Sequence, residues 1–136
     1  MKDKPSPKSL FLESLDRCSG SEDFIPAFYN RFLSSSEQIR SKFKDTNFPR
    51  QNKALLRSLR LAAEATDGNP HALKEIQERA VTHDRHHLDI EPQHYVNWLA
   101  AVIETAAQYD DQWSESVESA WRVILGHVIR HMTKHY

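Results

Sequence analysis

The chain has very little cysteine, little glycine and no excess of either charge. One Cys in 136 residues, Cys18, leaves no internal disulfide framework and fits a reducing compartment. Three Gly are too few for a loop-rich or glycine-cradle protein. Lys and Arg number 18 against 19 Asp and Glu, a formal net charge of -1. That balance argues against a general nucleic-acid or anionic-membrane binder. No apolar run of about 18 residues occurs, so no spanning helix is expected. The opening MKDKPSPKSL lacks the apolar stretch of a secretory signal, so a soluble, cytoplasmic protein is expected. Alternating strand patterns and internal repeats are also missing. What is abundant is histidine, with eight residues.

Helical periodicity runs through almost the whole length. Residues 1–7 read as a flexible polar arm and 8–136 as one domain. Leu10, Leu12 and Leu15 predict a first helix ending near Ser19-Gly20. Ser21-Glu22-Asp23 offers caps for a second, with Pro26 in its first turn and Ile25, Phe28, Tyr29, Phe32 and Leu33 inward. A short turn through Ile39 leads to Phe43. Asn47 and Pro49 open a helix carrying Leu55, Leu56 and Leu59. Gly68-Asn69-Pro70 stops it and starts another, through Leu73, Ile76 and Ala80 toward His83. Pro92 opens a helix with Tyr95, Trp98, Val102 and Ile103, and Asp110-Asp111 is expected to cap the last one, around Trp121 and Ile124. The fold class expected is all-α, with about six to eight helices.

Taken singly, the candidate site residues are ordinary. A lone His near a helix end is usually a surface or capping residue, and Phe43, Trp98 and Trp121 suit any helical core. Their order is more informative. FYNRFL, then Phe43, Gln51 and Leu55, then IQERAVTH and IEPQHY, resemble the haem-binding constellation of a bacterial single-domain globin. The resemblance runs from about Phe24 to the C-terminus and implies a three-over-three helical sandwich. The truncated two-over-two class is not expected, because its paired-glycine breaks are missing.

The resemblance implies haem b as cofactor, with His83 as its proximal metal ligand. It places Tyr29 and Gln51 on the distal side and Phe43 and Leu55 on the cavity wall. Tyr95 and Trp98 fall in the helix that closes the proximal side. Imidazole is the usual nitrogen donor to ferrous haem, and two distal hydrogen-bond donors would retain a polar diatomic ligand. A second-shell acceptor for the other His83 nitrogen is expected, either a carbonyl of the same helix or the Tyr95 hydroxyl.

The sequence departs from the family pattern in three places. Two residues more than in many bacterial globins separate His83 from IEPQHY, which leaves His87, one turn on, open as the ligand. The segment between Phe43 and Gln51 is short. No acidic residue follows Glu118, so peroxidase-like electron donation is not implied.

The function expected is reversible binding of oxygen, carbon monoxide or nitric oxide. A haem-based gas or redox sensor working through a partner in trans is an alternative, as is nitric oxide dioxygenation with a separate reductase. A haem-free globin-like module acting by protein contact is a third class. The His83/His86/His87 and His127/His131/His135 stripes have spacings that can bind zinc, but no Cys or His-Glu-x-x-His frame joins them, so a hydrolytic zinc site is not expected. Arg85, His86 and Lys53 are candidates to meet haem carboxylates. Cys18 is expected to be buried.

Overall fold

The computed structural model describes residues 5–136, so Met1–Lys4 of the expected arm lie outside the described residues. Among these residues are seven helices and no strand: α1 Pro7–Ser19, α2 Phe24–Ser34, α3 Glu37–Lys42, α4 Phe48–Thr66, α5 Pro70–His83, α6 Pro92–Tyr109 and α7 Glu115–Lys134. Side chains start most of them. Ser6, Ser36, Asn47, Asn69 and Ser114 each accept a backbone N–H of the first turn, satisfying a donor the helix itself cannot. Proline follows in the first turn of α1, α4, α5 and α6, where its missing N–H costs nothing.

The helices pack in two layers, α1, α4 and α5 over α2, α6 and α7. The main core joins α1, α2, α4, α6 and α7 through Phe11, Leu15, Phe28, Leu59, Val102, Trp121 and Ile124. Each such side chain contributes ~1.5–3 kcal/mol on burial. α5 stands apart from it. Its Ala72 and Ile76 form a small separate cluster with Ala65 of α4.

Four details differ from the sequence reading. Pro7 belongs to α1, with Ser6 as its cap. Leu73, one of the apolar residues whose spacing marks α5, is 43% exposed. α7 is capped by Ser114, and Asp110 instead ends α6 and turns into the core, 3% exposed. There it accepts from Ser14 Oγ (2.5 Å), Arg17 Nε (2.5 Å) and Arg17 Nη2 (3.0 Å), while Trp121 Nε1 donates to Ser14 Oγ (2.9 Å). The fourth difference is that α5 stops at His83. Asp84 takes an extended backbone, and its carboxylate accepts from the His86 N–H (3.0 Å) and pairs with His87 Nδ1 (2.7 Å). Such local bonds compete with helix continuation. His86 and His87 therefore lie in a turn and share no helix face with His83.

Candidate functional site

α2, α4 and the bend between α3 and α4 bring four of the expected residues together. Tyr29 is 5% exposed and Leu55 6% exposed in the main core, and Phe43 packs on that core half-buried. The Tyr29 ring lies 6.0 Å from that of Phe43 and 5.4 Å from that of Phe48, and Phe43 also meets Phe32 at 5.9 Å. Trp98 of α6 reaches the same group through Phe28, 6.0 Å away. Phe48 was not singled out as a site residue. It reads as the end of a loop in the sequence, yet it opens α4 and its ring stacks beside Phe43 at 6.4 Å.

Burial pushes the Tyr29 phenol up to about 12, and the Gln51 side chain beside it pulls the other way. Tyr29 therefore keeps its proton at neutral pH and remains a donor. Next to Gln51 stands Asn52, whose Oδ1 is buried without any hydrogen-bond partner. Nothing in the hydropathy pattern marks Asn52, because an Asn in a helix is ordinarily solvated.

His83 ends α5, half-buried. Its Nδ1 lies 2.7 Å from the Arg79 carbonyl oxygen, one turn earlier. A carbonyl only accepts, so the neutral ring carries its proton on Nδ1 and presents a bare lone pair at Nε2. Burial lowers the pKa; the Arg79 carbonyl opposes that and the Arg79 charge adds to it. The Arg79 carbonyl thus orients the ring and sets its tautomer, and burial favours the neutral form. Of the two acceptors expected, the backbone carbonyl is the one used. Tyr95 lies half-buried in the first turn of α6, and burial pushes its phenol up to about 12.

The other histidines differ in kind. His87 is exposed and bonded to Asp84, so its Nδ1 is already engaged. His131 pairs with Gln77 Oε1 at 2.9 Å, and its ring lies 4.5 Å from that of His135. No group of three or more His, Cys, Asp or Glu is placed to hold a metal among the described residues. Arg85 is engaged by Tyr136, while His86 and Lys53 are exposed. Two surface depressions, of about 320 and 340 Å³, lie along α1 and the start of α7 and carry no histidine.

The Globin family model matches residues 26–132, which covers Tyr29, Phe43, Gln51, Leu55, His83, Tyr95 and Trp98. The chain belongs to the globin family. The globin is also similar to a solved structure, protein PA3967 of Pseudomonas aeruginosa PAO1, described there as structurally highly homologous to a human hemoglobin. The two share 29% sequence identity with a TM-score of 0.92, over 96% of this chain and 98% of that one. No curated protein matches this globin. Family membership implies a haem cofactor and diatomic gas ligands.

The residues present suit such a group. A neutral imidazole with an unengaged nitrogen supplies a borderline donor of the kind haem iron takes. Large aromatic side chains stand half-buried beside a phenol donor. α5 packs on a small apolar cluster of its own, and the Tyr29 aromatics belong to the main core.

Proposed function

We propose that this globin holds one haem b through His83 and binds oxygen or another diatomic gas reversibly. The observation that carries the reading is the state of His83, set by the Arg79 carbonyl at Nδ1 and unprotonated at Nε2. His87 differs in position: it is exposed and outside the helix, although its Nδ1 is engaged in a similar way, by the Asp84 carboxylate. Haem, when bound, supplies a ferrous iron that accepts a small diatomic ligand and releases it.

The chain's own groups determine the rest. Tyr29 offers its O–H and Gln51 its side-chain amide to a polar ligand, each bond being worth roughly 1 kcal/mol and more in a low dielectric. Phe43 and Leu55 exclude water from that side. From α6, Tyr95 lines the other side, while Trp98 backs the Tyr29 cluster through Phe28. No helix of the described residues is long and apolar enough to cross a membrane.

The test is reconstitution with haem, recording ferric, ferrous and carbonmonoxy spectra beside His83→Ala and His87→Ala. The expected result is stoichiometric uptake with histidine-ligated bands that vanish only in His83→Ala. Loss only in His87→Ala would move the ligand into the turn. A folded wild-type protein that takes up no haem would overturn the reading.

A further inference from the structure

The chain leaves α5 at His83 and turns straight back onto it. The Leu88 N–H donates to the Thr82 carbonyl (3.1 Å), the Asp89 N–H to the Asp84 carbonyl (2.9 Å) and the Ile90 N–H to the His83 carbonyl (3.0 Å). The reversal places Asp89 at φ 52, in the left-handed region that Asp tolerates better than most residues. Lys42 Nζ donates to the Leu88 carbonyl from the end of α3, at 3.2 Å.

Tyr136, just past α7, holds this turn at two points. Its hydroxyl donates to the Asp89 carboxylate. Its carbonyl accepts from the Arg85 backbone N–H (3.1 Å) and from Arg85 Nε (3.2 Å). The Arg85 guanidinium also lies over the Tyr136 ring, 4.8 Å from its centre. One residue thus grips the turn at both of its limbs. The Asp89 end leads directly to the Ile90 amide that bonds the His83 backbone.

We propose that Tyr136 is a positioning residue for His83, acting through Asp89 and Arg85 on the turn that anchors the His83 carbonyl. The inference rests on the reading of His83 as the iron ligand. The two ends of His83 are then fixed by different means: Arg79 sets the ring through Nδ1, and Tyr136 sets the backbone through the turn. α7 meets α5 a second time at His131 and Gln77, so a displacement of the end of α7 reaches the ligand helix by two routes.

The test uses the full chain carrying Tyr136→Phe, with Asp89→Asn as the conservative partner. Asn keeps an acceptor for the hydroxyl and tolerates the left-handed backbone. In the haem-free protein, amide exchange at Ile90 is expected to quicken about tenfold in Tyr136→Phe, as for loss of a hydrogen bond to a charged group. Asp89→Asn should quicken it much less. In the ferrous haem-loaded protein, the iron–histidine stretching band is expected to shift or broaden in Tyr136→Phe and to stay near the wild-type position in Asp89→Asn. Unchanged Ile90 exchange in Tyr136→Phe would overturn the latch without reference to haem. Faster exchange with an unshifted band would overturn the positioning role, leaving a purely structural one. Failure of the wild type to take up haem would overturn the reading of His83 and the positioning role with it. The exchange measurement still scores the latch, so the two failures are distinguishable.

Discussion

Two regions of the helical sandwich satisfy their own groups to very different degrees. Where α1 meets α6 and α7, every polar group in the buried set has a partner. Asp110 accepts from Arg17 and Ser14, and Ser14 accepts from Trp121. The Gln112 backbone N–H completes the carboxylate at 2.9 Å. Phe11 and Trp121 pack beside this network, ring centres 4.7 Å apart. On the side of α4 and α5, Asn52 Oδ1 has no partner, Phe43 and Trp98 are half-buried, and α5 sits on a cluster separate from the main core. Leu73, Val81 and Leu88 remain exposed along α5 and the turn after it. The first region is built to hold the chain together. The second keeps polar and aromatic surface that folding alone does not use, which is the character expected of a binding region.

The contrast breaks most visibly at Asp110. Asp110→Ala strands Arg17 and Ser14 and is expected to cost about 3 kcal/mol in denaturant unfolding, the scale for removing one partner of a buried ion pair. Haem uptake by the protein that remains folded should be unaffected. Tyr29→Phe should do the reverse. We expect ligand release to quicken roughly tenfold in flash photolysis, equivalent to ~1.4 kcal/mol for a lost distal hydrogen bond, with stability nearly unchanged. Asn52→Leu sharpens the comparison from the other direction. Removing an orphaned acceptor should raise the stability of the haem-free protein by about 1 kcal/mol, and a loss of stability would mean that the side chain has a partner in solution.

The smallest expected effect separates the regions by pH. Burial lowers the pKa of His94, whose Nδ1 accepts from the Glu91 N–H at the start of α6. The unfolded chain therefore binds the proton more readily, and stability present above pH 6.5 is lost as pH falls through the interval below it. Burial alone would raise Asp110, but its bonds to Arg17 and Ser14 outweigh that and hold the carboxyl below the usual carboxylate range. Its contribution is present above about pH 3.9, the unfolded value, and is lost as pH falls through the lowered native one. Melting curves should show the loss in two windows, the upper one shared by His83, His94 and His131, all lowered by burial, and flattened in part by His94→Gln. An upper window unaltered by that substitution would assign it to other groups.

The helices, and the caps of α4 and α5, were legible because both depend on neighbouring residues. Asn47, Asn69 and the prolines act within a turn, so their spacing marks α4 and α5 correctly. Tyr29, Phe43 and Leu55 were legible as a set only through the order of residues that resembles bacterial globins; singly each reads as ordinary core. Asp110 was not legible. An acidic residue before a helix reads as a cap, and only the approach of Arg17, distant in sequence, makes it a buried anion. The stop after His83 was equally hidden. It follows from side-chain bonds of Asp84 that compete with a helical pattern otherwise able to run on to His87. The Arg79 carbonyl was expected as one of two acceptors, whereas the grip of Tyr136 on Asp89 leaves no sequence signal, since it joins residues far apart in the chain.

Cys18 gives the molecule a built-in clock. It has no solvent-exposed surface, its Sγ donates to the Ala106 carbonyl at 3.5 Å, and burial pushes the thiol up to about 12. A thiol reagent can react with it only after α1 lifts from α6, and only with the small fraction then ionised. As the chain's single sulfhydryl, it makes the labelling time course at increasing reagent a direct reading of how often the α1 seam opens. One covalent tag per chain marks each molecule that has done so.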